Sequence, residues 1–181
     1  LELSLRELQK LPGRTVRAVV PGWSGNWWAK WLHKIDVLNT MPECYYQKHY
    51  FVYGQSPDDP HKEMITAMGV RCIIIDPLDE DSPLPRGSHK IRGLAWSGMG
   101  GITRVEVSLD EGVTWRDAHL EEPRERWLWV RWSYLWEIDR PGAYRIMARA
   151  CDETGRVQPQ IPWNYQRKHF DGIVPTDVTI V

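Results

Sequence analysis

The stretch GLAWSGMGGITRVEVSLDEGVTWRDAHL, residues 93–120, decides the fold class because it joins short strand-like runs through turn residues. Apolar and polar side chains alternate over Thr103–Leu109, a pattern typical of a strand with one buried face. Asp110-Glu111-Gly112 follows as a hairpin loop, with glycine where a left-handed backbone is favoured. The stretch therefore predicts antiparallel β-structure.

Similar runs recur on both sides of this stretch. The candidate strands are Arg71–Ile75, Lys90–Ser97, Thr103–Leu109, Thr114–Leu120, Trp127–Leu135, Tyr144–Cys151 and Thr176–Val181. Seven short strands within residues 70–181 predict an immunoglobulin-like β-sandwich. The fold class is therefore mainly β, with residues 70–181 as one domain and residues 1–69 as a smaller piece and connecting arm.

Residues 1–69 lack the regular series of short strand-like runs that is found in residues 70–181. Ser4 and Glu7 form the S-x-x-E pattern of a capping box, so a short helix is predicted to begin at Ser4 and to end at Pro12-Gly13. After it we expect strands at Val16–Val20 and Lys34–Leu38, a turn or short helix at Trp27–Trp31, and an irregular arm over Asn39–Met68. A two-turn helix, a strand and a tryptophan-rich turn cannot bury their own apolar faces, so this piece needs a further surface.

Composition excludes several classes of protein. The 181 residues carry 23 Lys+Arg and 24 Asp+Glu, so the basic field that a nucleic-acid-binding protein uses is not expected. No apolar run approaches the roughly 18 residues of a membrane helix, and no membrane span is expected. The 11 tryptophans favour large core and interface residues over a stacking platform. A sugar-binding sandwich that uses Trp127, Trp129 and Trp132 is the weaker interpretation, because strand alternation puts Trp132 on the opposite face.

Spacing reveals no complete catalytic site. No two of the six histidines stand at the i+3 or i+4 spacing of a helical metal pair. Cys44, Cys72 and Cys151 are widely spaced without a C-x-x-C motif, so no metal-ligand set is assigned.

One cationic turn stands out, in RAVVPGWSGNWWAKWL, residues 17–32. Arg17 enters an apolar strand, Gly22, Gly25 and Asn26 let the backbone approach a ligand closely, and Lys30 follows. Two cations beside a glycine-rich turn suit an anionic group such as a phosphate. A solvated surface turn explains the same residues equally well.

The same turn resembles a signature of the sulfite oxidase family of molybdenum enzymes. Residues 93–120, ARACDETGRVQP at 148–159 and PWN at 162–164 are similar to the C-terminal dimerisation domain of that family. The resemblance implies an α+β domain that holds one molybdopterin with a molybdenum ligated by a cysteine thiolate. It also implies an immunoglobulin-like sandwich that forms a homodimer. The implied reaction is a two-electron oxygen-atom transfer on a small oxyanion-type substrate, with electrons exchanged with a carrier such as a cytochrome c.

The resemblance carries over to particular residues. Arg17 falls where the anionic part of the pterin is held, and Trp28, Ala29 and Lys30 fall on the three cofactor-contacting positions. Lys30 keeps the charge that faces the phosphate, and Trp28 replaces a residue that is often histidine. The substrate-pocket tyrosine falls near YYQKHYF, residues 45–51. An ungapped count from Lys30 reaches Phe51, whereas one deletion places Tyr50 there, and we assign Tyr50.

Three departures from the family pattern bear on function. None of the three cysteines lies in a Cys-x-Gly-Asn-like segment, so the molybdenum-ligating cysteine is not assigned in this sequence. SLRELQKLP resembles the helix ahead of that segment, which predicts a join with missing residues near Thr15–Val16. The position of a substrate-binding arginine of sulfite-oxidising members reads Gly100-Gly101, with Arg104 beyond it.

Two hypotheses about function follow. In the first, these residues are part of a molybdopterin-dependent oxidoreductase, and its metal-binding cysteine lies in a segment of the protein that this sequence does not contain. In the alternative, it is a non-catalytic, dimerising β-sandwich that serves as a binding or assembly module without the metal site. Bacterial members of the family are often exported, but no residue pattern here decides the compartment.

Overall fold

The computed structural model describes residues 16–41, 43–79, 83–122, 127–161 and 171–181. These residues fall into two compact units, one that ends at Met68 and one that begins at Gly69. The helix predicted to begin at Ser4 and the join predicted near Thr15–Val16 lie outside the described residues, apart from Val16 itself.

The second unit is a β-sandwich, which confirms the predicted mainly-β fold. Its strands are β3 (Arg71–Asp76), β4 (Gly87–Trp96), β5 (Ile102–Ser108), β6 (Arg116–Asp117), β7 (His119–Leu120), β8 (Val130–Ile138), β9 (Gly142–Asp152) and β10 (Thr176–Ile180). They form two antiparallel four-stranded sheets, in the orders β3-β4-β8-β7 and β10-β9-β5-β6. Side chains that alternate inward from both sheets build one core between them.

Trp132 occupies the centre of that core. It is only 1% exposed, and it lies directly opposite Gly93 in the register of β4 and β8. A Cβ on residue 93 would clash with the Trp132 ring and with the carbonyl oxygen of Ile73 on the neighbouring strand. Glycine is therefore required at position 93 because the Trp132 ring and the Ile73 carbonyl oxygen lie close to its Cα, and not because the backbone turns there.

The predicted strand Thr114–Leu120 is wrong as a single element. Arg116–Asp117 pairs with β5 in one sheet, whereas His119–Leu120 pairs with β8 in the other. Ala118 lies at the crossing point, is packed against the core and donates its N–H to the carbonyl of Val105 at 2.8 Å. Alternating polarity does not distinguish one strand from two short strands that change sheets, because both keep the same period.

The strand predicted at Trp127–Leu135 is shifted, since β8 begins at Val130 and extends to Ile138. The predicted alternation of Thr103–Leu109 is found, with Val105 and Val107 in the core. Glu106 is also buried, because Arg149 covers it through a 2.8 Å ion pair. Burial of this carboxylate depends on a partner from β9, which the local pattern does not reveal.

One edge of each sheet is partly covered by other segments of the chain. On β3, the buried Gln158 side chain accepts a hydrogen bond from the Cys72 N–H at 2.8 Å and donates to the carbonyl of Gly172 at 3.1 Å. On β10, Leu84 lies in a parallel bridge with Ile180 and donates its N–H to Thr179 at 2.8 Å. The opposite edges are formed by β6 and β7, which are two residues long each.

A buried carboxylate fixes the end of the sandwich where the loop of residues 97–101 lies. Asp152 accepts hydrogen bonds from Ser97 at 2.8 Å, from Thr154 at 2.7 Å and from the Arg156 guanidinium at 2.9 and 3.1 Å. Burial alone raises the pKa of Asp152, but the hydrogen bonds from Thr154, Ser97 and Arg156 outweigh it and lower the pKa to about 2. The loop is therefore anchored by a charge that stays ionised above about pH 2.

The first unit contains little regular structure. Its elements are a 3-10 helix at Gly25–Trp27, helix α1 at Tyr45–His49, and the strand pair β1 (Val52–Tyr53) and β2 (Glu63–Met64). The predicted turn or short helix near Trp27 is therefore found two residues earlier. The predicted strand Val16–Val20 is reduced to one bridge residue, Arg17. The predicted strand Lys34–Leu38 is wrong, because within the described ranges no neighbouring strand pairs with it and its side chains are exposed.

In the described part of the chain, no helix combines the length and the apolar character that crossing a bilayer requires.

Replacement of Gly93 by alanine tests the central packing. We expect Gly93→Ala to lower the free energy of unfolding by about 1–3 kcal/mol, because the added methyl group overpacks a site bounded by a ring and a backbone carbonyl. Chemical denaturation measures the change. Gly101→Ala is the matched control, since its Cβ meets only a Glu153 carboxylate oxygen at 3.5 Å. Equal effects of both substitutions would contradict the packing role of Gly93.

The low pKa of Asp152 predicts a pH dependence of stability. The carboxyl binds its proton at a pKa of about 2 when folded and near 3.8 when unfolded, so the unfolded chain holds more protons between these values. We expect Asp152 alone to contribute a fall of about 2 kcal/mol in the free energy of unfolding as the pH falls from 4 to 2. Asp110, whose pKa is also lowered to about 2, titrates in the same window. Asp152→Asn should therefore make the profile less steep there, whereas Asp139→Asn, at an exposed site, should not. A profile that Asp152→Asn does not alter would rule out this assignment.

Candidate functional site

Arg17 and Lys30 lie directly opposite each other in an isolated antiparallel bridge of the first unit. Ala18 donates its N–H to Ala29 at 2.9 Å, and Leu32 donates to Val16 at 2.9 Å, so the hydrogen bonds flank the pair rather than join it. The Cα atoms of such pairs are about 4.5 Å apart, and the side chains leave the backbone on the same face. The structure therefore places two of the predicted cofactor-binding cations side by side.

Trp31 accounts for the irregularity of this bridge. In a regular ladder the residue after Lys30 would donate to Val16, but Leu32 does so instead. Trp31 has a φ of 53°, which is uncommon for a residue with a side chain. It forms a bulge that leaves its ring exposed and ends the pairing just after the two cations.

The turn between the two cations is held by its own tryptophans. Gly22 has a φ of 77°, a left-handed conformation that glycine adopts without strain. The indole N–H of Trp28 donates to the carbonyl of Val20 at 3.1 Å. The predicted residue Trp28 thus holds the two ends of the turn together, and Ala29 fixes the bridge through its carbonyl oxygen.

A second segment of the same unit, Ile65–Met68, forms hydrogen bonds with this turn. Ser24 donates its N–H to Thr66 at 2.9 Å, and Met68 donates to Gly22 at 2.8 Å. The indole N–H of Trp27 donates to the carbonyl of Ile65 at 2.6 Å. The end of the predicted irregular arm therefore folds back on the turn of its own unit, which the sequence pattern did not predict.

Asn26 offers a hydrogen-bond donor without a partner. Its Oδ1 accepts a hydrogen bond from the Ser24 hydroxyl, whereas its buried Nδ2 has no hydrogen-bond partner among the described residues. A buried amide without a partner costs free energy that a bound acceptor would recover. A Cβ on the adjacent Gly25 would meet no atom within 4 Å, so there is space beside it. The turn therefore fits a ligand that carries anionic and hydrogen-bond-accepting groups.

Tyr50, the predicted substrate-pocket tyrosine, lies on a different element of the first unit. It follows the last residue of α1 and donates its N–H to Tyr46 at 2.9 Å. The rings of Tyr46 and Tyr50 are 5.6 Å apart in an edge-to-face arrangement. Its side chain is partly exposed, and the assignment of Tyr50 to a substrate pocket stays a prediction.

The cysteines do not supply a metal ligand set in the described residues. Cys72 and Cys151 are buried in the sandwich, as expected of core cysteines, and burial raises the pKa of the Cys72 thiol. Cys44, which is half-buried, precedes α1. Where the structure describes the chain, no group of three or more histidine, cysteine, aspartate or glutamate side chains is placed to hold a metal ion.

The loop that carries Gly100 and Gly101 lies at one end of the sandwich. Gly101 accepts a hydrogen bond from the Glu153 N–H at 2.9 Å. Arg104, the next arginine along the chain, lies on β5, with its guanidinium 3.6 Å from the Cys151 sulfur and 3.7 Å from a Glu106 carboxylate oxygen. Arg104 is thus engaged by residues of its own sheet.

Sequence reasoning named the two cations but missed the residues that complete the turn. The contribution of Ile65–Met68 depends on contacts about forty residues apart, for which no local pattern exists. The sequence did point to Asn26 as a turn residue, because it follows glycine in the motif. That its amide nitrogen has no hydrogen-bond partner among the described residues could be learned only from the folded structure.

Two family models match the chain. The Mo-co oxidoreductase dimerisation domain matches residues 62–168, and the oxidoreductase molybdopterin binding domain matches residues 2–46. The first match covers more than half of the chain and includes β2–β9. The second match includes the turn with Arg17 and Lys30.

Curated relatives agree with these matches. The chain is 31% identical over 174 residues to the mitochondrial sulfite oxidase of Homo sapiens, a match that covers 87% of the chain and 31% of that relative. It is 33% identical over 180 residues to an inducible NADH nitrate reductase of Glycine max, covering 84% of the chain and 20% of the relative. The chain thus spans a fifth to a third of the length of these relatives.

A solved structure shares the fold. The crystal structure of the sulfane dehydrogenase SoxCD from Paracoccus pantotrophus superimposes with a TM-score of 0.76 at 32% identity, over 88% of this chain and 42% of the other. The two family models, the curated relatives and this structure lead to the same assignment. The chain belongs to the molybdopterin oxidoreductase family of sulfite oxidase and nitrate reductase, and it carries that family's Mo-co dimerisation domain.

Proposed function

We propose that this chain is part of a molybdenum-dependent oxidoreductase that performs two-electron oxygen-atom transfer on a small oxyanion-type substrate. Residues 1–69 form a partial molybdopterin-binding domain with its connecting arm, and residues 70–181 form the dimerisation domain. The relatives support the substrate class, since one is named for sulfite and another for nitrate. Both of these substrates are small oxyanions.

The side-by-side placement of Arg17 and Lys30 is the observation that carries the proposal. Like charges directly opposite each other across a bridge are unfavourable. Neither side chain has an ion-pair partner within the described residues, and both are exposed. A bound phosphate would turn this repulsion into two charge-assisted interactions, because its oxygens accept hydrogen bonds from both cations.

The residues of this turn match the phosphate end of the cofactor in charge and in hydrogen-bonding groups. Arg17 and Lys30 would hold that phosphate, and the Asn26 amide would donate to a further acceptor beside the turn. The bound cofactor supplies the metal centre at which an oxygen atom is transferred and two electrons are stored. The residues of this turn would bind and orient the anionic end.

The remaining assignments rest on the family and are part of the same proposal. Tyr50 contributes to the substrate pocket, Trp28 and Ala29 contact the cofactor, and the sandwich pairs two copies of the chain. The electrons pass to or from a carrier such as a cytochrome c. Gly100 and Gly101, where sulfite-oxidising members carry an arginine, argue for an oxyanion bound differently from sulfite.

The experiment measures molybdenum and pterin in the purified protein after expression with molybdate. We expect both groups to be retained by the unaltered chain. The double variant Arg17→Gln with Lys30→Gln should reduce both contents at least about tenfold, because each hydrogen bond to a charged group contributes about 1.5–3 kcal/mol. Metal analysis by mass spectrometry and fluorescence of the oxidised pterin are the two measurements.

Lys34→Gln is the matched control. Lys34 is an exposed lysine four residues further along the chain, and it forms an ion pair with Asp36 at 2.8 Å. The Lys34→Gln protein should retain molybdenum and pterin. Loss of cofactor in the control as well would refute a specific role of the Arg17–Lys30 pair. A complete absence of both groups from the unaltered chain would favour the alternative, a non-catalytic dimerising sandwich.

A further inference from the structure

The β3-β4-β8-β7 sheet leaves part of β8 without a neighbouring strand. The chain passes through Ala118 from β6 in one sheet to β7 in the other, and β7 pairs only with Trp132 and Ser133 of β8. Strand β8 nevertheless continues to Ile138. Beyond Ser133, the side of β8 that faces away from β4 therefore has no strand beside it among the described residues.

The ladder shows which backbone groups point to that side. Glu121 donates its N–H to the carbonyl of Arg131 at 2.9 Å, so Arg131 directs its backbone groups toward β7. Every second residue of an antiparallel strand points these groups to the same side, and β8 pairs with β4 without a register shift. Leu135 and Glu137 therefore direct their N–H and carbonyl groups away from β4. We call these backbone groups the β8 edge.

The β8 edge is available for pairing. In the part of the chain that the structure describes, no group forms a hydrogen bond with the N–H or carbonyl of Leu135 or Glu137 on this side. Leu135 is 63% exposed, and Glu137 is exposed as well. Such an edge is a template for an extended chain, whose main-chain hydrogen bonds supply affinity while its side chains supply specificity.

The side chains beside the β8 edge favour a cationic occupant. Glu137 lies on the outer face of the sheet, and its carboxylate has no ion-pair partner within the described ranges. Two nearby cations are engaged elsewhere. Lys90 lies 4.0 Å from Glu121, and Arg116 donates to the hydroxyl of Tyr134 at 3.5 Å. A cation directly opposite Glu137 on an added strand would form a favourable cross-strand pair.

A second copy of the chain fits the β8 edge less well. If two copies paired antiparallel through this edge about a two-fold axis, Glu137 would lie opposite its own counterpart, opposite Leu135 or opposite Ser133. The first register opposes two like charges, and the second places a carboxylate against an apolar side chain. The third register meets an edge that β7 already occupies. An acidic residue on the edge strand thus works against self-pairing.

We propose that the β8 edge binds an extended, cationic segment of a partner protein as an additional antiparallel strand of the β3-β4-β8-β7 sheet. The backbone groups of Leu135 and Glu137 form the hydrogen bonds, and the Glu137 carboxylate selects a cation opposite it. The site concerns the sandwich alone and does not depend on cofactor binding by Arg17 and Lys30.

Hydrogen exchange measured by NMR tests the β8 edge in the free protein. We expect the amides of Leu135 and Glu137 to exchange at least about a hundredfold faster than those of Tyr134 and Trp136, whose N–H groups point to β4. Slow exchange of all four amides would overturn the proposal, because the edge would already be occupied. Protection that appears only as the protein concentration rises would also overturn it and would identify the occupant as a second copy.

The binding probe is the peptide acetyl-Thr-Thr-Lys-Thr-Ala-amide, which places its lysine opposite Glu137 when its alanine lies opposite Leu135. Titration up to millimolar peptide should shift the amide signals of both residues and slow their exchange. Methylation of the alanine nitrogen removes one donor, so this peptide should bind at least about threefold more weakly. A peptide with glutamate in place of lysine should be weakened at least about twofold. Equal binding of the methylated peptide, or no shift of either signal, would refute strand addition.

Two variants test the same contacts from the side of the protein. Leu135→Pro removes an edge N–H and no hydrogen bond of the ladder, a place where proline is tolerated. It should raise the dissociation constant of the peptide at least about threefold, whereas Leu135→Ala, the matched control that keeps the N–H, should stay within about twofold. Glu137→Gln should abolish the preference for the lysine peptide over the glutamate peptide.

Circular dichroism melts establish that the variants are folded. If Leu135→Pro does not fold, the methylated peptide still removes a hydrogen bond at the same position from the other side. Equal weakening by Leu135→Pro and Leu135→Ala would assign binding to the side chain and overturn the proposal. A preference for lysine that persists in Glu137→Gln would overturn the assignment of Glu137.

Discussion

The contact of the Trp132 ring with Gly93 is the constraint on which the sandwich depends. Trp132, the largest fully buried side chain in the described residues, fits into the core because its register partner has no side chain at all. This pair fixes how β4 and β8 face the opposite sheet, since a shift of one residue would turn the ring to the outer face. The alternation that follows from this register buries Ile91 and Trp136 and directs Leu94 and Leu135 outward.

The first unit depends on a different kind of constraint. Its turn is not stabilised by a large core but by indole and backbone hydrogen bonds from Trp27, Trp28 and Ser24. Such bonds fix geometry at a modest gain in free energy, because each replaces a bond to water. These bonds hold the turn in the conformation that places Arg17 and Lys30 opposite each other.

The sequence predicted the β-sandwich and most of its strands, because period-two alternation and turn residues are local properties. It failed where a local pattern is ambiguous. Residues 114–120 alternate like one strand, but they contribute to two sheets. Lys34–Leu38 has a strand-like composition, but no strand of the described segments pairs with it. Arg17 and Lys30 were named from their residue types, whereas their direct opposition and the role of Ile65–Met68 required the folded backbone.

The sheet edges of the sandwich differ in how far the chain covers them. Gln158 occupies backbone groups of β3, and Leu84 pairs with β10. On the opposite side, β7 pairs with only two residues of β8, so the outer edge of Tyr134–Ile138 has no strand partner among the described residues. An edge of this kind presents N–H and carbonyl groups to which a further strand can pair. Any extension of this sheet by another strand is therefore directed to the β8 side and away from β3.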